Sequence, residues 1–322
     1  MAFTDLSPEE LARYRPEIPQ PADFDDFWSS TIAEARAHGG DPELSPADTP
    51  VSELVVEDIV FPGFGGEPIR GWLTRPRGDA PRPVVVEYRG YGGGRGLPHE
   101  NLAWAASGYV HLLMDSRGQA SNWGTGGATP DPHGSGPTTP GVMTKGIEHP
   151  ETYYYRRLFT DAVRAVDAAR SLPFVDASRT AVTGGSQGGA ISLAVAALVP
   201  DLSAVMPDVP FLCDFRRSAQ RTPRAPFTEL TTYLSVHRDR VEQVFETLSY
   251  FDGVNFARRA TAPARFSVGL MDDIVLPSTV YAAFNHYAGG EKTLDVYEFN
   301  GHEGGQGHQW QRQAGWLRDR RG

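Results

Sequence analysis

Short apolar runs that alternate with amphipathic segments constrain the fold of this chain more than any other feature. Residues 84–86 and 110–114 are the clearest runs, and a stretch that contains several glycines follows each of them. Such runs are typical of strands buried on both faces of a parallel sheet. Residues 158–172 instead place their apolar side chains at helical spacing. The alternation predicts an α/β fold, with a mostly parallel central sheet flanked by helices and joined by right-handed crossovers.

The same patterns divide the rest of the chain. Residues 51–60 and 68–74 are β-rich and are separated by a Gly-Phe-Gly-Gly turn, which predicts a hairpin that opens the sheet. Further strands are predicted at residues 179–183, 264–270 and 293–299, and further helices at residues 24–37, 190–199, 279–287 and 309–320.

A chain of 322 residues is within the range of single-domain α/β enzymes, so one domain is predicted over residues 1–322. Two segments depart from the alternation. Residues 1–50 are rich in proline and contain the helix at 24–37, which predicts an N-terminal helical extension packed on the main body. Residues from about 210 to 259 contain one predicted helix, at 239–248, and no clear strand, which predicts an insertion or cap region over the sheet.

Charge and cysteine content exclude several classes of protein. Thirty basic against 40 acidic side chains give a formal charge of −10, which disfavours binding to nucleic acid or to an anionic membrane. The one cysteine, Cys213, cannot form an internal disulfide and is expected to be a core thiol in a reducing compartment. No run of 18 apolar residues occurs, and residues 1–14 lack the pattern of a signal peptide. We therefore expect a cytoplasmic protein with a neutral small-molecule substrate.

The segment Gly-Gly-Ser-Gln-Gly-Gly at residues 184–189 fits the pattern G-x-S-x-G between a predicted strand and a predicted helix. In this context the serine stands on a strained turn that projects its Oγ above the sheet, and the free N–H groups of the helix can stabilise an oxyanion. The pattern predicts Ser186 as a nucleophile. The alternative is a glycine-rich turn in which Ser186 only caps the helix.

A serine nucleophile needs a base, and in this fold an acid and then a histidine follow it along the chain. His302 and His308 are the histidines after the last predicted strand. His302 is favoured because it lies in a glycine-rich loop, whereas His308 begins the final predicted helix and is expected to be solvated. Asp272 and Asp273 follow the penultimate predicted strand, and spacing alone leaves either as the acid.

A glycine-rich loop at residues 88–96 follows an early strand, where a second oxyanion donor is expected. It lacks the Gly-Lys-Ser/Thr of a phosphate-binding loop, and a plain flexible turn is the alternative. A zinc motif H-E-x-x-H starting at His302 would need histidine at position 306, where Gln306 stands. Neither a metal nor a cofactor is therefore predicted.

Four segments together resemble a known family. They are Tyr-Arg-Gly-Tyr-Gly-Gly-Gly at 88–94, Asp-Ser-Arg-Gly-Gln at 115–119, Gly-Gly-Ser-Gln-Gly-Gly at 184–189 and His-Glu-Gly-Gly at 302–305. The pairing of Arg-Gly-Gln with Gly-x-Ser-Gln-Gly-Gly is specific to the acetyl xylan esterase and cephalosporin-C deacetylase family, carbohydrate esterase family seven. The resemblance extends through residues 153–162 and 248–256 and covers essentially the whole chain.

The resemblance implies an α/β-hydrolase fold with an insertion over the active site. It also implies roles for five residues: Ser186 as nucleophile, His302 as base, Asp272 of the Gly-Leu-Met-Asp motif as acid, and the backbone N–H groups of Tyr91 and Gln187 as oxyanion donors. Arg117 and Gln119 are signature residues without an assigned chemical role.

One departure from the family pattern lies just after the acid. The family commonly has Cys-Pro-Pro-Ser-Thr there, and this chain has Val275 and Leu276 in place of the first two residues. The change is expected to affect the rate and the stability rather than the chemistry, because the lost proline loosens the loop that carries Asp272.

The predicted function is a serine esterase that removes acetyl groups from small O-acetylated substrates, such as acetylated xylo-oligosaccharides and cephalosporin C, without a cofactor. Family resemblance also implies a closed homo-oligomer, commonly a hexamer. One alternative is a serine peptidase of the prolyl oligopeptidase type, although the roughly 80 residues before the first central strand cannot form the usual propeller. The other is a catalytically inactive α/β-hydrolase used as a binding module, which would lack a member of the triad.

Overall fold

The computed structural model describes residues 5–134 and 136–320. Residues 1–4 lie outside these ranges. They are the start of residues 1–14, which lack the pattern of a signal peptide. Within them, nine strands form one mixed sheet in the order β1-β2-β3-β5-β4-β6-β7-β8-β9. The strands are β1 Glu43–Pro46, β2 Leu54–Pro62, β3 Pro68–Pro76, β4 Arg82–Tyr88, β5 Val110–Met114, β6 Val175–Gly185, β7 Ala204–Asp208, β8 Ala264–Gly269 and β9 Lys292–Tyr297.

The sheet is antiparallel at one end and parallel through its centre. Strands β1, β2, β3 and β5 pair antiparallel in that order, whereas β5, β4, β6, β7, β8 and β9 pair parallel. The predicted α/β fold with a mostly parallel sheet is therefore confirmed. In addition, the carboxyl ends of β4, β6, β8 and β9 lie at one edge, so the loops after these strands can converge.

Helices cover both faces of the sheet. They are α1 Pro8–Arg13, α2 Phe24–Ala37, α3 Ala103–Ala106, α4 Tyr154–Ser171, α5 Gln187–Leu198, α6 Phe215–Arg221, α7 Phe227–Val236, α8 Val241–Ser249, α9 Gly253–Ala257, α10 Pro277–His286 and α11 Gln306–Asp319. Successive side chains of a strand point to opposite faces. Accordingly Val84 and Val86 of β4 belong to the larger core, which includes α4 and α5, whereas Val85 packs with Trp104 of α3 and Leu317 of α11.

The hairpin of β2 and β3 and the helix α2 are confirmed, the latter with its predicted bounds. Two strands were not predicted, β1 and β7. Strand β7 is central and has Val205 and Met206 fully buried. Helix α5 begins at Gln187 rather than at residue 190, because the helix starts directly after the turn at Ser186.

The N-terminal residues pack along helices of the main body. Trp28 of α2 is buried, stacks on Phe159 of α4 and donates its indole N–H to the carbonyl of Tyr250 at 2.9 Å. Residues 210–259 contain helices α6 to α9, of which sequence patterns predicted one. Among the described residues, no helix has the length and apolar character that a membrane crossing requires.

The predicted core position of Cys213 is confirmed. Its thiol is free and buried, and burial raises its pKa well above the usual value.

Candidate active site

Ser186 stands on a strained turn between β6 and α5. Its backbone has φ 58° and ψ −117°, a left-handed conformation that non-glycine residues rarely adopt. Two hydrogen bonds hold this turn against the neighbouring strand end: the N–H of Ser186 donates to the carbonyl of Asp208 at 2.9 Å, and the N–H of Phe211 donates to the carbonyl of Ser186 at 3.0 Å. The turn predicted from the sequence is therefore present, with Ser186 at its tip.

Glycine is required beside Ser186 because two backbones approach each other there. A Cβ atom on Gly188 would lie 2.1 Å from the carbonyl oxygen of Tyr88, and one on Gly184 would lie 2.6 Å from the backbone of Gly188. Both distances are far below van der Waals contact. The glycines thus let the first turn of α5 sit directly against the end of β4.

His302 joins the serine to a buried carboxylate. Its Nε2 lies 2.9 Å from Ser186 Oγ, and its Nδ1 lies 2.8 Å from Asp272 Oδ2. The Asp272 side chain is fully buried, whereas that of His302 is 26% exposed. The other carboxylate oxygen of Asp272 accepts hydrogen bonds from the N–H groups of Ile274 and Val275, both at 2.9 Å. The three side chains form a continuous hydrogen-bonded chain.

Geometry separates the two aspartates that spacing left open. Asp272 contacts His302, whereas the carboxylate of Asp273 pairs with Arg224 at 2.7 Å. His308 is exposed in the first turn of α11, as expected.

Leu276, at the departure from the family pattern, is buried and has φ −56°, a value that proline also adopts. The effect of this departure on the rate stays a prediction.

The two predicted oxyanion donors belong to residues near Ser186. Gln187 is the first residue of α5, and Tyr91 lies in the loop after β4 and lines the same cavity as Ser186. No acceptor in the described part of the chain takes a hydrogen bond from the backbone N–H of either residue. Whether these two N–H groups bind an oxyanion stays a prediction.

The side chain of Tyr91 is held by α7 and by the segment that joins β5 to α4. Its hydroxyl donates to Glu229 of α7 at 2.7 Å and accepts from the N–H of Val142 at 2.7 Å. The other oxygen of Glu229 accepts from the N–H of Met143 at 3.0 Å. Burial raises the pKa of Tyr91 and that of Glu229.

A cavity of about 530 Å³ opens above Ser186 and His302. It is lined by apolar groups and by several polar ones, among them Tyr91, Trp123, Asp208, Pro226, Glu229 and Ile274. A larger cavity of about 930 Å³ lies between the N-terminal segment and helices α6 and α8, but it contains none of the three hydrogen-bonded residues. We therefore take the smaller cavity as the functional one, because it adjoins the reactive groups.

Sequence patterns missed Asp208, which ends β7 and lines the cavity. Both of its carboxylate oxygens accept from Gln313 Nε2 of α11, at 2.9 Å each, and burial raises its pKa to about 7. No motif marks this residue. It could have been found only through β7, which was itself not predicted.

Arg117 is the centre of a buried group of charges that we call the ion cluster. Its members are Arg117, Asp131 and Asp161 with their partners Glu67, Lys145 and Arg157. Arg117 donates from Nε and Nη2 to the two oxygens of Asp161 at 2.5 and 2.8 Å, and Arg157 binds both oxygens of Asp131 at 3.0 and 2.9 Å. Through the ion pair of Asp131 with Arg157, the ion cluster joins the segment between β5 and α4 to α4 itself.

Across residues 5–134 and 136–320, no three His, Cys, Asp or Glu side chains are grouped so that they could hold a metal ion.

The chain is similar to known acetyl esterases. The profile of the acetyl xylan esterase (AXE1) family matches residues 1–320. An acetyl esterase of Xylanibacter ruminicola is 29% identical over 316 residues, covering 90% of this chain. The chain spans 64% of the length of that curated relative, so it corresponds to only part of the longer protein.

Two solved structures are similar over nearly their whole length. The acetyl xylan esterase from Paenibacillus sp. R4 has 38% identity and a TM-score of 0.92, and 98% of this chain and 99% of that chain are covered. Acetyl xylan esterase 1 from Thermoanaerobacterium sp. has 30% identity and a TM-score of 0.89, with the same coverage of 98% and 99%. Both likenesses support the α/β-hydrolase fold. Because the profile of this family of carboxylic ester hydrolases matches the chain almost from end to end, the chain belongs to the acetyl xylan esterase family.

Proposed function

We propose that this protein is a serine esterase that removes acetyl groups from small O-acetylated substrates through an acetyl-enzyme intermediate. The observation that carries the proposal is the hydrogen-bonded chain of Ser186, His302 and Asp272 beneath a cavity of about 530 Å³. Membership of the acetyl xylan esterase family supports the same chemistry.

In the acylation step, Ser186 Oγ attacks the carbonyl carbon of the acetyl ester while His302 Nε2 takes the hydroxyl proton. The Asp272 carboxylate accepts from His302 Nδ1, which fixes the imidazole tautomer and stabilises the imidazolium that forms. The negative charge that develops on the carbonyl oxygen is bound by the N–H groups of Tyr91 and Gln187. Each donor of this kind contributes about 3 kcal/mol to transition-state stabilisation.

Acylation is completed when His302 gives its proton to the alcohol oxygen as the bond between that oxygen and the carbonyl carbon breaks. In the second half of the reaction, His302 takes a proton from a water molecule that attacks the acetyl-enzyme, and then returns this proton to Ser186 Oγ as acetate leaves. No step requires a cofactor.

The proposed substrates are small acetyl esters of neutral alcohols, with acetylated xylo-oligosaccharides and cephalosporin C as examples. The cavity has the size of a small-molecule site, and its lining includes Tyr91, whose hydroxyl is hydrogen-bonded to Glu229 and to the N–H of Val142. The named activity of the two similar esterases supports acetyl as the acyl group. We further propose a cytoplasmic homo-oligomer, with a hexamer as the expected form and neither nucleic acid nor membrane as a partner.

The decisive experiment compares the wild-type protein with Ser186→Ala on p-nitrophenyl acetate, butyrate and octanoate. We expect the alanine variant to lose at least about 10⁴-fold in kcat, since it lacks the nucleophile. The wild-type protein is expected to prefer acetate, and to deacetylate acetylated xylobiose and cephalosporin C. Activity retained in Ser186→Ala would refute the role of Ser186 as nucleophile, and a preference for octanoate would refute acetyl as the preferred acyl group.

An aminoacyl p-nitroanilide added to the same substrate series tests the peptidase alternative. Efficient cleavage of that anilide, with little hydrolysis of acetate esters, would favour it. Light scattering checks the proposed assembly, which a monomer in solution would contradict.

A further inference from the structure

Two side-chain amides face each other beneath the loop that follows β4. Gln119 Nε2 donates to Gln187 Oε1 at 3.0 Å, and Gln187 Nε2 donates back to Gln119 Oε1 at 3.4 Å. The Gln187 side chain is fully buried, and Gln119 is partly buried. These two residues, which we call the amide pair, are 68 positions apart in the sequence.

The amide pair also binds the backbone on both sides of Tyr91. The N–H of Gly92 donates to Gln119 Oε1 at 2.6 Å, and Gln187 Nε2 donates to the carbonyl of Arg89 at 3.2 Å. One of the proposed oxyanion donors, the N–H of Tyr91, therefore lies between two fixed points. The other donor is the backbone N–H of Gln187, a member of the amide pair itself.

Helix α4 holds the amide pair from below. The hydroxyl of Tyr155 donates to Gln187 Oε1 at 3.0 Å, and Gln119 Nε2 donates to the hydroxyl of Tyr154 at 2.9 Å. The Tyr154 hydroxyl in turn donates to the carbonyl of Arg117 at 2.5 Å. Each side-chain amide thus uses both of its N–H donors and its oxygen, and a fully satisfied buried network is rigid.

We propose that Gln119 is a positioning residue that sets the separation between the oxyanion donors of Tyr91 and Gln187. The inference rests on the proposed function, since the donors matter only if an oxyanion forms. Gln119 does not touch the reacting atoms. Its contribution is to hold the loop after β4 on the first turn of α5, so its loss acts on the transition state more than on binding of the substrate.

The main test is Gln119→Met, which keeps the length of the side chain and removes the amide. We expect kcat for p-nitrophenyl acetate to fall about 10- to 100-fold with KM changed less than about 3-fold, because misplacing one donor costs part of what deleting it would cost. Affinity for phenylboronic acid, which mimics the tetrahedral adduct on serine, is expected to fall in parallel with kcat/KM. Affinity for acetate is expected to stay unchanged.

Asn255→Leu is the matched control. Asn255 is also a buried amide, and its Nδ2 donates to the carbonyls of Pro19 and Ser249, away from the cavity. Its loss is expected to lower thermal stability without lowering kcat.

Tyr155→Phe is a second variant in case Gln119→Met does not fold, since it removes one hydroxyl from the network. We expect it to lower kcat about 3-fold or more at constant KM.

Three outcomes would overturn the inference: a folded Gln119→Met with wild-type kcat, a change confined to KM, or an equal fall of kcat in Asn255→Leu. If Gln119→Met does not fold, a wild-type kcat in Tyr155→Phe would overturn it in the same way. The proposed function fails separately, through activity retained in Ser186→Ala. An inactive Ser186→Ala together with a fully active Gln119→Met would count against the role of Gln119 alone.

Discussion

Two polar clusters of this protein each contain a fully buried aspartate, and they differ in which of their hydrogen-bonding groups are left unpaired. In the ion cluster, every carboxylate oxygen of Asp131 and Asp161 has a donor, and the side chains of both residues and of Arg117 are fully buried. At the candidate active site, His302 is partly exposed and the N–H groups of Tyr91 and Gln187 have no acceptor within the described residues. A cluster whose hydrogen-bonding groups are all paired links secondary-structure elements. A cluster that keeps unpaired N–H donors can also bind a ligand.

The largest effect that distinguishes the two clusters is expected at Asp272. In Asp272→Asn, an amide N–H replaces the carboxylate oxygen that accepts from His302 Nδ1. The imidazole then carries its proton on Nε2 instead of Nδ1, and Nε2 can no longer accept the proton of Ser186. We expect kcat for p-nitrophenyl acetate to fall about 10⁴-fold. Asp273→Asn is the matched control, because it removes only the ion pair with Arg224 and is expected to change kcat less than about 2-fold. Equal losses in both variants would contradict the assignment of the acid.

A smaller effect, on stability rather than on activity, is expected in the ion cluster. Arg117→Met leaves the fully buried carboxylate of Asp161 without its bidentate partner. Removing one partner of a buried pair destabilises a protein by about 3–5 kcal/mol. Urea denaturation measures this loss, and kcat of the folded variant is expected to stay within about 3-fold of the wild-type value. A loss below about 1 kcal/mol would show that the ion cluster does not stabilise the fold.

The smallest effect is a pH dependence at Asp131. Burial disfavours its charge, but hydrogen bonds from Arg157 and Lys145 outweigh burial and lower its pKa to about 2. Because the folded-state pKa lies below the unfolded value, the carboxylate stabilises the fold above about pH 4, and this contribution is lost as the pH falls towards 2. The shift corresponds to about 2 kcal/mol.

Asp131→Asn tests this dependence. The variant is expected to be less stable at pH 7 and to lose less of its remaining stability than the wild-type protein between pH 5 and pH 3, measured by urea denaturation. Parallel curves for the two proteins would contradict the lowered pKa.

The sequence predicted a region well where the residues that determine its structure are close together along the chain. The turn at Ser186 was predictable because strand, glycines, serine and helix are contiguous. Helix α2 was predictable because its apolar residues recur at helical spacing over 14 residues. Strand β7 was missed because it has five residues and contains Pro207, which counts against a central strand.

The choice between Asp272 and Asp273 depends on a turn that spacing does not encode. The side chain of Asp272 is oriented towards His302 because its other oxygen accepts hydrogen bonds from the N–H groups of Ile274 and Val275. Sequence patterns could not predict the amide pair or the ion cluster either, because their members come into contact only after the sheet and α4 have assembled. The family resemblance marked Gln119 and Arg117 as signature residues, but their partners are set by tertiary packing.

The state of Cys213 has a practical consequence for handling and labelling this protein. It is the one thiol of the chain, it is buried, and its raised pKa keeps it protonated at neutral pH, whereas reaction with maleimides or peroxides requires an accessible thiolate. The natural chain thus provides a background without reactive thiols. A cysteine introduced at an exposed position, such as Val236, which is 68% exposed, would be a single site for a fluorophore without prior removal of native cysteines.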